Sequence, residues 1–325
     1  MPEYGGCLPL EVPKKSIDMW EGFDSMALNS GRSAIAYAAL AGKFSKCCIP
    51  YYTCKTVEAG LIEAGVQVSY YNIGQDFMPI EPAGGFDQAA LFVYTNYFGV
   101  MTKAMAEQIM KDHEHVLFDN TQGFFTEPMK GAYNAYSCRK FFGVPDGAYL
   151  VAEEVPYIRL ETDKSGATAQ FLLTAIEEGP NAAYEASKAN EERINNAGMK
   201  QMSALTEGLM NGIDLEVVNN RRQMNFNMLH QELKQYNELQ PVCENGAPMV
   251  YPLLVAAEGL REYLVENQVF VPRWWRWIVE SQDTNDFEKH LSKYLIPLPV
   301  TQNYTIGDMR AIAKVVKSYS GLKED

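Results

Sequence analysis

Lys140 is the residue of this sequence whose neighbours most favour a reactive amine. It follows Arg139 and precedes Phe141 and Phe142, and the Gly/Pro turn GVPDGAYL comes next. A neighbouring cation and apolar walls both disfavour an ammonium ion, so they lower the pKa of a lysine toward that of a usable nucleophile. The alternative interpretation is an ordinary Lys/Arg pair at the surface end of a strand.

An acid ends a second apolar segment. The run HVLF places Asp119 directly after a strand-like stretch, and Gln122 follows three residues later. Ligands bind at the carboxyl ends of strands in open α/β sheets, although Asp in such a place is more often a turn residue or a helix cap. Asp119 is therefore a candidate partner for a protonated ligand group.

A glycine at a helix start marks a third segment. The residues NSGRS precede the helical sequence AIAYAALAG, which puts Ser30, Gly31 and Arg32 at the start of that helix. Backbone N–H groups there can approach an anion, and Ser and Arg add hydroxyl donors and a positive charge. Taken alone, the segment favours the alternative of a plain N-cap, because Ser and Asn cap helices anywhere.

Together the three segments fit the requirements of pyridoxal 5'-phosphate (PLP). This cofactor needs a lysine amine for covalent attachment, an acid against its pyridine nitrogen, and a helix N-terminus with hydroxyl groups for its phosphate. The chain supplies them in the order helix start, Asp119, Ser137 and Lys140. We therefore expect a PLP site in which Lys140 and Asp119 are catalytic.

These segments resemble those of the fold type I PLP-dependent enzymes, specifically the sugar aminotransferases of the DegT/DnrJ/EryC1/StrS family. The resemblance covers residues 28–150 and, more weakly, the C-terminal region. It rests on a Ser-Gly helix start, a Pro-aromatic-Thr turn, an aromatic-Gly segment, an Asp with a Gln three residues on, and a Ser shortly before the Lys. The matching residues are Ser30-Gly31, Ile49-Pro50-Tyr51-Tyr52-Thr53, Asn96-Tyr97-Phe98-Gly99, Asp119 with Gln122, and Ser137 with Lys140.

The resemblance implies a role for each matched residue. Lys140 would attach the cofactor and move a proton between substrate and cofactor, Asp119 would pair with the pyridinium nitrogen, and Gln122 would lie near the ring and its phenolic oxygen. One residue after the predicted strand at 46–49 would face the ring, with Tyr52 expected, from the set Tyr51, Tyr52 and Cys54. The phosphate would be bound by the helix start and by the serine before the lysine: Ser30, Gly31, Arg32 and Ser137.

Three features depart from the family pattern. Only two residues separate Ser137 from Lys140, where the family usually has a longer gap. Cys54 stands at the position of a stacking aromatic residue, and residues 166–210 replace the family's Gly-rich segment and Ala-rich helix. That segment normally contributes to the substrate site and to the partner subunit, so the substrate does not follow from the resemblance alone.

The hydrophobic pattern predicts the elements that position these residues. Strand-like and helical segments alternate, which is typical of a largely parallel sheet flanked by helices. We expect strands at 46–49, 66–71, 89–94, 116–118, 133–137 and 149–152, and helices at 33–42, 55–64 and 103–112. Charged helical sequence follows at 167–233 with a break near Gly212, then strands at 249–255 and 294–298 and helices at 258–267 and 305–318.

The predicted fold class is α/β with two domains. Residues 1–215 would form a large PLP-binding domain of fold type I, with a mainly parallel sheet of the seven-stranded type flanked by helices. Residues 216–325 would form a small α+β C-terminal domain. The cluster VPRWWRW at 271–277 is equally consistent with ligand stacking and with core packing, and the pair Arg221-Arg222 is expected on a solvated or interdomain face.

Charge and residue composition narrow the classes of partner, the location and the cofactors expected for this chain. The formal charge is −13, which disfavours nucleic acid and anionic membrane surfaces, and the absence of a signal-like or membrane-spanning apolar run predicts a cytoplasmic protein. Six cysteines without a C-x-x-C pair are expected to be reduced thiols: Cys7, Cys47, Cys48, Cys54, Cys138 and Cys243. We expect no metal site, because His113 and His115 lack metal-binding helix spacing.

The expected activity is that of a PLP-dependent aminotransferase. It would transfer an amino group from a glutamate-like donor to a keto sugar nucleotide or a similar small keto acceptor, and it would act as a homodimer, as the resemblance implies. Two alternatives stay open. The same lysine and acid serve lyases and dehydratases, because stabilising a carbanion is common to all of them, and a chain with this fold could also be a non-catalytic binding or regulatory protein.

Overall fold

A computed structural model describes residues 6, 8–13, 19–244 and 246–322. Within these ranges the main sheet has eight strands in the order β1-β8-β7-β6-β5-β2-β3-β4. The strands are β1 (Asp24–Leu28), β2 (Lys46–Pro50), β3 (Gln67–Ile73), β4 (Pro79–Ile80), β5 (Leu91–Thr95), β6 (Val116–Asn120), β7 (Tyr133–Ser137) and β8 (Ala148–Ala152).

The centre of the sheet is parallel and its margins are antiparallel. Strands β3, β2, β5, β6 and β7 pair in parallel, whereas β8 lies antiparallel between β7 and β1, and β4 lies antiparallel to β3. The expected mainly parallel sheet is therefore confirmed, with the two-residue β4 as an addition to seven longer strands. Each predicted strand is present, with ends that move by at most two residues.

Strand β1 is missing from the sequence-based prediction. Its sequence, DSMAL, has neither an apolar run nor a regular alternation, and it owes its conformation to pairing with β8. Because β8 runs against both β1 and β7, those two strands point the same way. The carboxyl end of β1 therefore meets the carboxyl ends of the parallel strands at one edge of the sheet.

The first three helices agree with the prediction within two residues at their ends. They are α1 (Gly31–Ala41), α2 (Lys55–Glu63) and α3 (Lys103–Asp112). The charged stretch after residue 167 forms four helices, and the break expected near Gly212 lies between the last two. These four are α4 (Gln170–Glu177), α5 (Tyr184–Asn196), α6 (Ala204–Met210) and α7 (Leu215–Leu233).

The C-terminal residues add a two-stranded antiparallel sheet of β9 (Val250–Leu254) and β10 (Leu295–Pro299). Three helices accompany it: α8 (Leu260–Glu266), α9 (Asp286–Tyr294) and α10 (Ile306–Ser318). Helix α9 was not predicted. Residues of α7, α8, α10 and the small sheet share a core of their own that includes Phe226, Leu253 and Met309. The domain boundary after residue 215 stays a prediction.

Two apolar clusters cover the faces of the main sheet. Helix α1 presents Ala34 and Ala38, whose small side chains let it lie close to Leu117 and Leu150. The opposite face is aromatic and extends to the C-terminal residues, with Tyr97 and Phe118 in one cluster with residues of β9, α9 and β10. The sheet is thus held rigidly from both sides, as a site at its edge requires.

Other features of the described residues bear on the predictions. Five cysteines are unpaired, and Cys7 lies outside the described residues. No helix in the described ranges is both long enough and apolar enough to cross a membrane. In the same part of the chain, no three side chains of the His, Cys, Asp and Glu types converge in a way that could hold a metal ion.

Candidate active site

Strand register brings the predicted site residues to one edge of the sheet. Ala148 of β8 is paired with Leu28 on one side and with Ser137 on the other, so the turn after Leu28 lies near Ser137. Strand β6 is next in line, with Asn120 paired to Tyr136. Residues that follow these three strands therefore converge, although they are far apart in the sequence.

A cleft at this edge contains seven of the eight predicted site residues. They are Ser30, Gly31, Arg32, Asp119, Gln122, Ser137 and Lys140. Nine further residues line the same cleft: Ile35, Thr53, Cys54, Thr56, Val57, Thr121, Arg139, Glu191 and Trp275. Its volume is about 130 Å³. Larger cavities of about 370 and 630 Å³ lie beside β5 and behind Trp20 and contain no predicted site residue, whereas one of about 340 Å³ between α1 and α5 contains only Arg32 of the predicted set.

Tyr52 is the predicted residue that the structure does not bring into the cleft. It is fully buried, and its ring packs edge-on against Trp275 with centroids 4.5 Å apart. Tyr51 stacks on Tyr70 at 4.8 Å and is likewise absent from the lining. Of the three residues expected to supply a ring-facing side chain, Cys54 alone lines the cleft, and the aromatic residue of the lining is Trp275.

The start of α1 has the geometry of an N-cap and of an anion site at once. The Ser33 N–H donates to Ser30 Oγ at 3.3 Å, and the Ser33 hydroxyl donates to Asn29 Oδ1 at 2.7 Å. The Ser30 and Ser33 hydroxyls lie 2.8 Å apart, so the Ser30 proton must point to Ser33. The N–H groups of Gly31 and Arg32 have no acceptor among the described residues.

Position 31 requires a glycine because the side chain of Thr121 lies too close for a Cβ atom. A Cβ atom on this residue would lie 2.7 Å from Cγ2 of Thr121 and 3.9 Å from Cβ of Ser137. A distance of 2.7 Å is far shorter than a carbon–carbon van der Waals contact. A glycine therefore lets the helix start sit directly on the ends of β6 and β7, with its N–H groups at the cleft.

Hydrogen bonds hold the acid and the glutamine after β6 in place. Asp119 is 4% exposed, and its Oδ1 accepts from the Thr121 N–H at 3.0 Å. The Gln122 Oε1 accepts from the Phe98 N–H at 3.0 Å. Within the described residues nothing donates to Asp119 Oδ2 and nothing accepts from the Gln122 amide nitrogen, so an acceptor and a donor remain available at the cleft.

Lys140 projects into the cleft from the turn after β7. The Phe142 N–H closes this turn on the Cys138 carbonyl at 2.9 Å, and the Lys140 Nζ donates to Thr121 Oγ1 at 2.9 Å. The side chain is open to solvent through the cleft. The surrounding walls nevertheless lower the pKa of Lys140, an effect that Asp119 and Cys54 oppose, so the free amine forms at lower pH than in an ordinary lysine.

Helix α5 partners the two arginines of the cleft. Arg139 forms an ion pair with Glu191, and Arg32 donates to the side chain and the backbone carbonyl of Asn195. Both guanidinium groups are therefore already engaged. Unbound donors at the cleft include the backbone N–H groups of α1, the Gln122 amide and the hydroxyl of Ser137, which has no partner among the described residues.

A buried arginine supports the Lys140 turn from outside the main sheet. Arg222 of α7 is 1% exposed, and it donates to the Phe141 carbonyl at 3.2 Å, to the Met249 carbonyl at 3.3 Å and to Gln302 Oε1 at 2.8 Å. The Gln302 amide also donates to the Phe141 carbonyl, at 2.9 Å. Burial lowers the pKa of Arg222. Arg222 thus lies between α7 and the Lys140 turn, whereas Arg221 is exposed; that this face is interdomain stays a prediction.

Sequence reasoning missed several residues of the site. Thr121 contacts the lysine, the acid and the helix start. It was not singled out from the sequence, although it lies between the predicted residues Asp119 and Gln122. Its position two residues after a predicted acid at a strand end was the signal that could have found it. Glu191 gave no such signal, because one acid on a charged helix is indistinguishable from its neighbours. The position of Trp275 left two interpretations open, and the structure shows it both in contact with the core and in the cleft lining.

Structural comparison identifies the fold. No protein-family model and no curated protein sequence matches the chain. Among solved structures, the sugar aminotransferase CalS13 from Micromonospora echinospora is 12% identical, and the match covers 90% of this chain and 87% of that one at a TM-score of 0.62. The chain has the fold of the sugar aminotransferases. This confirms, for the fold, the resemblance seen in the sequence.

Two further structures agree with this result. DesV from S. venezuelae, solved in complex with a ketimine intermediate, is 13% identical, with 93% of this chain and 85% of that one covered at a TM-score of 0.60. NtdA from Bacillus subtilis, solved with bound cofactor PMP, is 14% identical, with 90% and 73% covered at a TM-score of 0.57. The likeness spans both the main sheet and the C-terminal elements.

We predict that Arg222→Met destabilises the protein by about 2–4 kcal/mol, because it leaves the partly buried Met249 carbonyl and Gln302 amide oxygen without this donor. The measurement is the free energy of unfolding in denaturant. Arg221→Met is the matched control, since it removes the exposed neighbour, and its effect should stay within about 0.5 kcal/mol. Equal stability of the two variants would contradict a supporting role for Arg222.

Proposed function

We propose that this protein is a PLP-dependent aminotransferase that transfers an amino group from a glutamate-like donor to a keto sugar or a similar small keto acceptor. The observation that carries the proposal is the convergence in one cleft of Lys140, Asp119 and the unsatisfied N–H groups at the start of α1. An amine, an acid and a helix N-terminus are the three groups that this cofactor requires.

The residues of the cleft fit the cofactor's phosphate at the start of α1. The N–H groups of Gly31 and Arg32 are available, and they point along a helix whose N-terminus favours negative charge. The hydroxyl of Ser137 would add a donor, whereas Ser30 would contribute mainly by capping the helix, since its proton is directed to Ser33. The Arg32 side chain would keep its contact with Asn195 and act through its charge.

The residues also fit the cofactor's ring. Asp119 Oδ2 would accept from the protonated pyridine nitrogen, and the Gln122 amide would donate to the phenolic oxygen. Trp275, the aromatic residue of the cleft lining, would border the ring in place of Tyr52. When bound, PLP supplies an electron sink that accepts the electron pair left at the substrate's α-carbon.

Lys140 would attach the cofactor and then act as the base. Its lowered pKa favours a free amine at Nζ, and general-base efficiency is greatest when the pKa of the base lies near the working pH. The Nζ atom would take the proton from the substrate's α-carbon and return it to the other reacting carbon. Asp119 would hold a proton on the ring nitrogen.

The acceptor is proposed from the fold and from the mouth of the cleft. CalS13 is described as a sugar aminotransferase, and PseC from Helicobacter pylori as an aminotransferase of pseudoaminic acid biosynthesis. In this chain Trp275 lines the cleft, and Lys55 lies 4.8 Å above the ring of Trp277. Tryptophan faces stack on sugar rings and lysine attracts anionic groups, so both features support a sugar-type acceptor.

We further propose a homodimer that closes the cleft. Helix α4 has no buried residue, and Leu173 and Ile176 are 63% and 81% exposed. The helix lies beside the site, since Leu172 Cδ2 is 3.8 Å from the position that a Cβ on Gly143 would take. Exposed apolar side chains on one helix indicate an interface, and a second copy is the occupant that the fold favours. A cytoplasmic location and the absence of nucleic-acid or membrane partners stay predictions from the sequence.

A half-reaction tests the type of chemistry. The PLP-loaded protein is mixed with glutamate in the absence of an acceptor, and the products are measured by chromatography and mass spectrometry. We expect one equivalent of 2-oxoglutarate and conversion of the cofactor to pyridoxamine phosphate. Release of carbon dioxide or ammonia with the cofactor still in its aldehyde form would indicate a lyase, and failure to retain PLP would indicate a binding protein; either result would contradict the proposal.

We predict that Lys140→Ala abolishes turnover and that Asp119→Asn lowers the rate by about 100-fold or more, because a preorganised electrostatic partner of the ring is lost. Steady-state rates and borohydride trapping of the cofactor on the chain are the measurements. Lys103→Ala and Asp112→Asn, at the two exposed ends of α3, are the controls and should retain activity. Near-normal turnover in either site variant would exclude the assigned roles.

We predict that the loaded protein has twice the chain mass of 36.5 kDa in sedimentation equilibrium, and that the double variant Leu173→Asp/Ile176→Asp is a monomer, because two charges would be buried without partners. Val265→Asp on α8, which changes an apolar residue of 39% exposure, is the control and should stay dimeric. A monomeric wild-type protein would refute the proposed interface.

A further inference from the structure

Thr121 makes three separate contacts with the proposed machinery. Its N–H donates to Asp119 Oδ1 at 3.0 Å, and its Oγ1 accepts from Lys140 Nζ at 2.9 Å. Its Cγ2 methyl lies 2.7 Å from the position that a Cβ on Gly31 would take. A single residue therefore touches the acid, the amine and the helix start.

These contacts fix the direction of the hydroxyl. Thr121 is 6% exposed, and a β-branched side chain has few allowed rotamers. With the methyl packed against Gly31, Oγ1 faces Lys140. Within the described residues, the Lys140 Nζ donates its hydrogen bond to Thr121 Oγ1. The position of the free amine therefore depends on this hydroxyl.

Lys140 lies among charged and titratable groups from four elements. Asp119 comes from β6, Cys54 from the start of α2, Glu191 from α5, and Arg139 from the Lys140 turn itself; these four are the groups that perturb it, and Arg32 of α1 shares the lining. Glu191 is paired with Arg139 and Arg32 with Asn195. None of these side chains forms a hydrogen bond to Nζ, so their long-range effects leave the amine's direction undetermined.

We propose that Thr121 is a positioning residue for Lys140: its hydroxyl holds the Nζ atom over the cleft whenever that nitrogen is not bonded to the cofactor. This inference rests on the proposed function, since it assigns the held amine to the base of that reaction. It concerns a residue that acts through Lys140 and not on the substrate.

A hydroxyl suits this task better than a carboxylate would. It accepts from an ammonium group, and it can donate to the lone pair of a neutral amine, so it holds the base in both protonation states. A carboxylate at the same place would raise the lysine pKa strongly and keep the amine protonated. Thr121 thus orients the base and raises the lysine pKa far less than a carboxylate would.

The test uses the full chain without added cofactor and measures Lys140 alone. Competitive labelling with acetic anhydride across a pH series, followed by peptide mass spectrometry, gives the rate and the pH profile of that amine. Thr121→Val keeps the methyl and removes the hydroxyl, whereas Thr121→Ser keeps the hydroxyl. Thr95→Val is the matched control, because Thr95 is paired with Asp119 in the sheet and its buried hydroxyl has no partner among the described residues.

We expect Thr121→Val to label roughly fivefold to tenfold faster at pH 7, because loss of an acceptor destabilises the ammonium form. Thr121→Ser and Thr95→Val should match the wild type. A purely structural role for Thr121 would change thermal stability and leave the labelling profile unmoved. If Thr121→Val does not fold, Thr121→Ala replaces it and should show the same faster labelling.

An unchanged profile in Thr121→Val, or a Ser variant that labels like the Val variant, would overturn the proposal. Because labelling needs no cofactor, it reports on the threonine–lysine bond even where the half-reaction with glutamate fails. A normal labelling result together with loss of PLP retention would therefore refute the proposed function, while an altered half-reaction with an unmoved labelling profile would refute the role of Thr121.

Discussion

The pairing of Ala148 with two neighbouring strands determines the site. Strand β8 holds Leu28 on one side and Ser137 on the other, so residues more than 100 positions apart in the chain end at the same edge. A slip of one residue in either pairing would turn every side chain of that strand to the opposite face. The start of α1 would then lose its contact with Thr121, and the helix N-terminus would no longer share a cleft with Lys140.

The second constraint crosses from the C-terminal elements to the lysine. The Phe141 carbonyl accepts from both Arg222 and Gln302, and the guanidinium packs 4.6 Å from the Phe141 ring. A buried guanidinium without a carboxylate is costly unless it is hydrogen-bonded, and here each of its three nitrogen atoms donates to an oxygen. The turn that carries Lys140 is therefore anchored by the C-terminal elements on the side away from the cleft.

The sequence predicted the parts of the molecule that local physics determines. The central strands are long apolar runs, and α1 has a cap, a glycine and an alanine-rich face, so each is readable without its neighbours. Strand β1 could not be predicted from its own residues, because its conformation depends on pairing with β8. Seven predicted site residues share one cleft because each lies at or just after a strand end or at a helix start. Tyr52 instead packs against Trp275, which lies more than 200 residues away in the chain and lines the cleft.

The least recognisable part of the sequence forms one wall of the site. Residues 166–210 share no motif with the resembled family, yet α5 from this segment supplies Glu191 to Arg139 and Asn195 to Arg32. Such contacts require only one polar partner at the right place on a helix, so they leave no pattern in the chain. By engaging both arginines, the helix leaves the backbone N–H groups of α1 as the unbound donors for an anion. The proposed anion site therefore depends mainly on backbone groups, which a chain with 10–14% identity to its structural neighbours can supply with no particular side chain beyond Gly31.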